Sequence, residues 1–197
     1  MTDVGNLEGR STTGNTWITN TAPLTLGGVV PGDDPGFQGY GNVEITAGCP
    51  IIVAEDIITT GTIILKSSDT EEEGDDLTVL SGVTIRSTTS QIKLRVGDNL
   101  VLQAGSVLWA DDGVNGKITI EGDYGNADAG VGSTMNLLGT ITGASLSISG
   151  NSDGDTVNLT SLTIPGTIET EGGNDVINVG SRASYGNFNG GVGTVNG

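Results

Sequence analysis

The chain has 197 residues, of which 24 are acidic and 7 are basic, so its formal charge is −17. This charge disfavours nucleic acids and anionic membranes as partners, because both repel a strongly negative surface. With 34 glycines, only 5 prolines and β-branched residues throughout, the composition excludes long helices and favours many short strands joined by tight turns.

Three short β-type segments followed by a turn rich in Gly, Asp and Asn recur five times along the chain. Within each segment apolar and polar residues alternate, which points one set inward and the other to solvent. A β unit of roughly 20 to 25 residues cannot bury its apolar face alone and must stack on its neighbours. The five blocks span residues 43–76, 77–99, 100–133, 134–155 and 156–175. The sequence therefore predicts an all-β fold, a right-handed parallel β-helix (solenoid) of about six coils with acidic Gly/Asp/Asn corners.

Two less regular segments flank these blocks. Residues 1–42 contain TWITN and PLTLGGVV and are predicted to form a first coil or a cap over the exposed end of the solenoid. The β-helix itself is predicted over residues 43–180, where VINVGS begins a sixth coil. Residues 181–197 are rich in Gly and Asn with little to bury, so they are predicted to be a tail that is either mobile or ordered by a neighbour.

Acid recurs at the turn that closes each block. Neighbouring coils lie about 4.8 Å apart, so carboxylates in register repel one another unless a cation neutralises them. Calcium is the natural counterion, because it takes six to eight oxygen ligands in loose geometry and Gly-rich turns expose carbonyls. The alternative is that these turns are simply solvated, since Asp, Asn and Gly favour turns for backbone reasons alone. The predicted metal ligands are Asp75, Asp76, Asp98, Asp123, Asp128, Asp153, Asp155, Asn174 and Asp175, with Asp155 and Asp175 as the preferred pair to bridge one ion.

Two of these turns resemble the calcium-binding nonapeptide of RTX proteins, G-G-x-G-x-D-x-U-x. They read GNSDGDTVN (150–158), where Gly150, Asp155 and Val157 fit the motif, and EGGNDVINV (171–179), where the aspartate follows the glycine pair two residues early. The longer phrases VGDNLVLQAGSV and GTITGASLSISG are similar to the β-helical shafts of filamentous-haemagglutinin-type adhesins and other giant bacterial surface proteins. The resemblance implies a secreted or surface-bound structural segment that can hold calcium.

Few residues favour catalysis. The chain has no histidine, which removes the commonest general base and the imidazole ligand of zinc or iron. A glycosidase would need paired carboxylates, such as Asp111 with Asp112 or Asp123. Trp109 is predicted to pack under an inserted loop, with ligand binding as the alternative. Cys49 stands alone, so it excludes an internal disulfide and is predicted to be a small structural residue.

Together these patterns predict a non-enzymatic extracellular or cell-surface structural protein: a stalk, an adhesin segment or a self-assembling filament subunit. The predicted cofactor is Ca²⁺ at the acidic turns. The predicted partners are further copies of the chain, as a homo-oligomer or end-to-end filament, and a surface glycan or protein receptor. Nucleic acid binding is not expected because of the negative charge, and membrane insertion is not expected because no run of about 18 apolar residues is present. The alternative is a carbohydrate-binding or polysaccharide-degrading β-helix.

Overall fold

The computed structural model describes residues 3–30, 35–111 and 113–180, together with the backbone of 188–189 and 194–196. Within these ranges the chain forms 23 short strands and no helix. The strands are β1 (Asn6–Leu7), β2 (Gly9–Arg10), β3 (Thr16–Asn20), β4 (Leu24–Leu26), β5 (Phe37–Gly39), β6 (Val43–Ala47), β7 (Ile51–Val53), β8 (Ile57–Thr59), β9 (Ile63–Ser67), β10 (Leu77–Val79), β11 (Thr84–Ser87), β12 (Ile92–Arg95), β13 (Leu100–Leu102), β14 (Val107–Ala110), β15 (Lys117–Glu121), β16 (Thr134–Leu137), β17 (Thr140–Thr142), β18 (Ser145–Ser149), β19 (Thr156–Leu159), β20 (Gly166–Glu169), β21 (Val176–Val179), β22 (Phe188–Asn189) and β23 (Thr194–Asn196).

These strands form three parallel sheets, in which each strand pairs with the strands of the preceding and following rounds, except at the two ends of a sheet. Sheet 1 has nine strands in the order β1-β4-β7-β10-β13-β16-β19-β21-β23. Sheet 2 has six, β2-β5-β8-β11-β14-β17, and sheet 3 has eight, β3-β6-β9-β12-β15-β18-β20-β22. From β1 to β18 the chain visits sheets 1, 2 and 3 in the same order six times. The predicted all-β, repetitive architecture is confirmed, and this arrangement is consistent with a parallel β-helix.

Alternation along the strands produces the core. Each inward residue lies against the inward residue of the next round, because the register pairs like with like. One such column in sheet 1 is fully buried, with every member 0% exposed, and consists of Ile51, Leu77, Leu100, Met135 and Val157. Burial of this kind contributes about 25 cal/mol per Å² of apolar surface. The stacked rounds therefore share one continuous hydrophobic core.

A row of asparagines runs along the outer face of sheet 1. Asn136, Asn158 and Asn178 occupy paired positions in consecutive strands. The Nδ2 of Asn158 donates to the Oδ1 of Asn136 at 2.8 Å, and the Nδ2 of Asn178 donates to the Oδ1 of Asn158 at 2.7 Å. The side-chain amides thus repeat the hydrogen-bond ladder of the backbone beneath them.

Most of the predicted block boundaries are confirmed. Strands β10, β13, β16 and β19 begin where the second to fifth blocks begin. The first block was wrong, since residues 43–76 hold four strands, β6 to β9, and start on sheet 3. Its short strands β7 and β8 are separated only by residues 54–56, with no Gly-rich turn between them.

The predicted middle strand of the fifth block does not form. Residues 160–165 contain no strand, although Leu162 and Ile164 are buried. Pro165 ends this stretch and has no N–H to donate to a ladder. Sheet 2 therefore ends at β17, while sheets 1 and 3 continue.

The two flanking segments differ in how much of them is described. Within residues 1–42, strands β1 to β5 join the same three sheets as the later rounds. The predicted tail, residues 181–197, lies outside the described residues except for the backbone of β22 and β23, which pair in sheets 3 and 1. Among the described parts, there is no helix with the length and apolar character needed to cross a membrane.

Candidate metal centre at the acidic corner

The acidic turns lie where the chain passes from sheet 3 to sheet 1. The sheet 3 strands that lead into these turns are in register, since Arg95 on β12 pairs with Lys66 on β9 and with Glu121 on β15. The following sheet 1 strands are also in register, so successive turns stack along one edge. We call this edge the acidic corner; its turns are residues 68–76, 96–99, 122–133, 150–155 and 170–175.

Two long turns of the acidic corner enclose the shortest one. Turn 122–133 extends across turn 96–99, where the Tyr124 N–H donates to the Val96 carbonyl at 2.9 Å. It also reaches turn 68–76, because the Ala127 N–H donates to Oδ2 of Asp69 at 2.7 Å. The contact with Asp69 joins residues 58 positions apart in sequence. One turn thus holds together three successive rounds.

This packing brings three carboxylates together, one from each of the three turns. Asp69, Asp98 and Asp128 each offer a ligand oxygen, and these oxygens lie within 4.8 Å of one another. Two oxygens bound to one Ca²⁺ at 2.3–2.6 Å are at most about 5 Å apart. The separation therefore fits three ligands of a single ion.

Several oxygens of this cluster are buried without a donor. Asp128 is 9% exposed, and neither of its carboxylate oxygens has a hydrogen-bond partner in the described part of the chain. The same holds for Oδ1 of Asp69. In contrast, Oδ2 of Asp98 accepts the N–H of Asp75 at 2.7 Å and the N–H of Gly74. Because a buried charge without a partner is strongly unfavourable, these oxygens are the atoms that a cation or a proton would stabilise most.

The pKa values of the cluster agree with this conclusion. Burial raises the pKa of Asp69 above its ordinary value, and the negative charges of Asp128, Asp75 and Asp98 raise it further, although the Ala127 N–H opposes the shift. Burial also raises the pKa of Asp128, with smaller contributions from nearby carboxylates that include Asp98. The protein surroundings thus disfavour the ionised forms of Asp69 and Asp128, and a nearby cation would oppose this effect.

A fourth carboxylate, Asp123, is more deeply enclosed. It is 1% exposed, and both of its oxygens are unpartnered among the described residues. Burial raises the pKa of Asp123 to about 7, with further contributions from Asp155, Asp153, Asp69 and Asp128 in that order. Its backbone has φ of +48°, a conformation that is uncommon for a residue other than glycine. Asp123 is therefore coupled electrostatically both to Asp69 and Asp128 of the cluster and to the carboxylates of turn 150–155.

The preferred pair of the sequence analysis, Asp155 and Asp175, is bound to protein donors. Oδ1 of Asp155 accepts the N–H and the hydroxyl of Ser133 at 2.7 and 2.8 Å. Asp175 accepts the N–H of Asp155 at 3.1 Å and the Thr170 hydroxyl at 2.7 Å. These hydrogen bonds connect each turn to its neighbour. Because their oxygens already accept protein donors, both carboxylates have fewer lone pairs free for an ion than Asp128 has.

The remaining predicted ligands also form ties or face solvent. Oδ1 of Asp76 accepts the N–H and Nδ2 of Asn99 at 3.1 and 2.9 Å. Oδ2 of Asp153 accepts the Gly130 N–H at 3.0 Å. Asp75 is 4% exposed and accepts the Thr70 N–H, whereas Asn174 is exposed. Of the nine predicted ligands, the cluster thus contains Asp98 and Asp128, with Asp123 coupled to it electrostatically.

Sequence reasoning missed Asp69. It precedes the acidic run TEEEGDD, which draws attention to residues 70–76. The feature that could have identified Asp69 is its position two residues after the end of β9. A side chain there stays close to the ends of the sheet 3 strands in the next rounds. The stacking of strands, rather than local acidity, selects the ligands.

Glycine is required beside Asp69. A Cβ on Gly125 would lie 2.5 Å from Oδ2 of Asp69, and Gly125 has φ of +127°. A Cβ on Gly97 would lie 3.1 Å from Oδ1 of Asp69 and 2.7 Å from Cβ of Asp75. These two glycines therefore let the backbone pass close to the carboxylates.

The donor set fits a hard cation. It consists of carboxylate oxygens beside Gly-rich backbone, which suits Ca²⁺ better than metals that prefer nitrogen or sulfur. The Cys49 thiol donates to the Ser68 carbonyl, and burial followed by a hydrogen bond with Asp75 raises its pKa well above its ordinary value. The thiol thus stays protonated and is a poor ligand.

Comparisons of the chain with protein-family models, with curated proteins and with solved structures give no match. The function of the chain must therefore be inferred from its own geometry.

Proposed function

We propose that the chain is a rigid, non-enzymatic structural segment, a right-handed parallel β-helix that works outside the cell or on its surface as a stalk, adhesin segment or filament subunit. The observation that carries this proposal is the unbroken pairing of parallel strands in three ladders of nine, six and eight strands. Repeat proteins of this kind act as extended scaffolds, because each round contacts mainly its neighbours. The hydrogen-bonded ladders resist separation of one round from the next, and the backbone resists stretching within a round.

Calcium at the acidic corner is the second part of the proposal. Asp69, Asp98 and Asp128 would hold the ion, which would neutralise three carboxylates contributed by successive rounds. Support comes from the orphaned oxygens of Asp69 and Asp128 and from the −17 charge of the chain. Since the cluster joins turns 68–76, 96–99 and 122–133, the bound ion would tie these rounds together and stiffen the segment.

Thermal unfolding of the purified chain tests the calcium proposal. We expect excess Ca²⁺ to raise the melting temperature by about 5–10 °C relative to EDTA, the stabilisation that a ligand gives at about 100 times its Kd in a chain of this size. Asp128→Asn should lose most of this increase. In EDTA the same variant should melt at or above the wild-type temperature, because it removes a repelling buried charge.

Glu73→Gln is the matched control, since it removes one negative charge from an exposed position in turn 68–76. It should keep the full response to Ca²⁺. Identical melting in EDTA and in Ca²⁺, or a full calcium response in Asp128→Asn, would remove calcium from the proposal. Electron microscopy of the same samples tests the filament version, which fibres support and isolated rods contradict.

A further inference from the structure

Trp109 is presented on the outer face of sheet 2. It lies on β14 and is 36% exposed, whereas its neighbours Leu108 and Ala110 are buried. Its partners in the register are Arg86 on β11 and Thr142 on β17. The sequence predicts that Trp109 packs under an inserted loop, but the indole is instead exposed on the outer face of sheet 2.

The indole is held in place from one side. The guanidinium carbon of Arg86 lies 4.1 Å from the centroid of the Trp109 ring, a cation–π contact. Nη2 of Arg86 also lies 2.6 Å from Oδ2 of Asp111, so the guanidinium is fixed by both groups. On the other side is Thr142, whose short side chain leaves indole surface accessible. Trp109 is therefore a rigid aromatic platform with a neutral pair of charged groups at its edge.

A groove of about 290 Å³ lies on the same face of sheet 2. Strands β2, β5 and β8 form its floor, and Arg10, Gln38, Tyr40 and Ile58 line it together with several Ser and Thr residues. Tyr40 is 58% exposed. Ile58 pairs with Arg86 in the register, so the groove leads directly to the Trp109 platform. Trp109 shares its register row with Arg86, Ile58 and Gln38, and Tyr40 follows Gln38 by two residues. Because neighbouring strands lie about 4.8 Å apart, this face presents two aromatic side chains about three strand spacings apart.

We propose that this face of sheet 2 binds a linear, neutral glycan. A pyranose ring has an apolar C–H face that stacks on an aromatic ring, and hydroxyls that need both donors and acceptors nearby. Trp109 and Tyr40 supply the aromatic surfaces. The hydroxyls find acceptors on Asp111 and Gln38, and donors on Arg86, Arg10 and Gln38.

The charges on this face select a neutral chain. The charge of Arg86 is already matched by Asp111, so it gives little net attraction to an anionic sugar, which leaves Arg10 as the remaining cation that lines the groove. The −17 charge of the whole chain repels polyanions as well. The groove is independent of the acidic corner, because that corner joins sheets 3 and 1 and the groove lies on sheet 2.

Tryptophan fluorescence gives a direct readout. The chain has two tryptophans, so a Trp17→Phe background leaves Trp109 as the only emitting indole. The probes are cellohexaose, maltohexaose, mannohexaose and xylohexaose, each titrated to about 10 mM, a limit that includes affinities in the millimolar range. We expect a saturable change in Trp109 emission with at least one probe, of equal affinity in Ca²⁺ and in EDTA.

Isothermal titration calorimetry of variants locates the site. Trp109→Ala and Tyr40→Ala should each weaken binding of the responding probe by about tenfold or more, since each removes a stacking surface. Trp17→Ala is the matched control, because Trp17 is 68% exposed but lies on β3 of sheet 3, and it should bind as the wild type does. Melting curves of all three variants verify that they are folded.

Three results would overturn the proposal. The first is no response to any of the four probes, and the second is wild-type affinity in folded Trp109→Ala. The third is tighter binding of hexagalacturonate, an anionic probe, than of every neutral one. None of these results depends on the response to Ca²⁺, so failure here is distinguishable from failure of the calcium proposal.

Discussion

Asp123 is a carboxylate surrounded by other carboxylates and removed from water. Its oxygens have no donor in the described structure, and its pKa of about 7 is raised first by burial and then by Asp155, Asp153, Asp69 and Asp128. An unfolded aspartate has a pKa near 3.9. Between these two values the folded chain therefore holds a proton that the unfolded chain has released.

This difference gives the metal-free protein a defined pH dependence. Because the folded pKa lies above the unfolded one, the stabilisation is complete below about pH 4 and is lost as the pH rises through about 7. In EDTA we expect the melting temperature to fall by roughly 4–12 °C between pH 5 and pH 8, equivalent to about 2–3 kcal/mol for a chain of this size. Asp123→Asn should flatten this profile.

The control is Asp3→Asn, which removes an exposed carboxylate that accepts the hydroxyl of Thr21, a residue of the sheet 3-to-sheet 1 turn four rounds before that of Asp123. It should keep the wild-type profile. A profile that rises with pH, or one that Asp123→Asn leaves unchanged, would contradict the assignment. Saturating Ca²⁺ should also reduce the slope in the wild type, since a cation replaces the proton as the partner of the buried carboxylates.

The sequence predicted part of the candidate site at the level of residues. Recurrent acid at the closing turns correctly indicated Asp98 and Asp128 as neighbours along one edge. It could not separate them from Asp155 and Asp175, whose oxygens are taken by Ser133, Thr170 and backbone N–H groups. Those donors come from the start of the same turn or from the preceding round, so the composition around each aspartate does not reveal them.

Turn 122–133 is the element that assembles the candidate site. It provides Asp128, its Ala127 N–H binds Asp69, and its Tyr124 ring lies 5.0 Å from the Nζ of Lys66 and 4.7 Å from the guanidinium carbon of Arg95. These contacts reach two rounds back from the strand that precedes the turn. The turn is therefore positioned by the outer face of sheet 3 as well as by the acidic corner.

Gly125→Ala tests this role. A Cβ there would lie 2.5 Å from Oδ2 of Asp69 at φ of +127°, so the turn must shift away from the cluster. We expect calcium affinity to fall by about tenfold, measured by isothermal titration calorimetry, because a small displacement of Asp128 removes one carboxylate ligand.

Gly130→Ala is the matched control within the same turn. Gly130 has φ of +91°, but a Cβ there would meet no atom within 4 Å. Both variants introduce backbone strain of a similar kind, and only one crowds Asp69. Equal losses of calcium affinity in the two variants would mean that general strain, rather than the contact with Asp69, controls the site.

Strand patterns were easier to predict than turn packing. Alternation of apolar and polar residues placed β10 to β19 in their blocks, because each inward position faces a continuous core. The alternation pattern did not separate β7 from β8. These two three-residue strands are joined by residues 54–56, which contain no Gly-rich turn of the kind that marks the other rounds. A turn of three residues leaves too few positions for a composition signal.

Over the whole molecule, stability comes from one core that all rounds share. In such an array each round is stabilised by its neighbours, so damage in the middle affects both sides. Leu100 is 0% exposed and lies between Leu77 and Met135 in sheet 1. It occupies the centre of the fully buried column.

Leu100→Ala should therefore lower the free energy of unfolding by about 2–5 kcal/mol, measured by urea denaturation, because it removes buried methyl groups and leaves a cavity. Val101→Ala is the control, since Val101 is adjacent in β13 but points outward and is only partly buried. Its loss should be clearly smaller. Similar losses for the two variants would contradict a core in which inward and outward positions differ.

The asparagine row on sheet 1 favours the correct register between successive rounds. A β-strand that slips by one residue exchanges its inward and outward side chains. At β16, β19 and β21 the slip would also separate the amides of Asn136, Asn158 and Asn178, and so break both of their hydrogen bonds. The correct register is thus stabilised by two sets of interactions, the apolar contacts in the core and the amide hydrogen bonds on the outer face. A misaligned round would lose both.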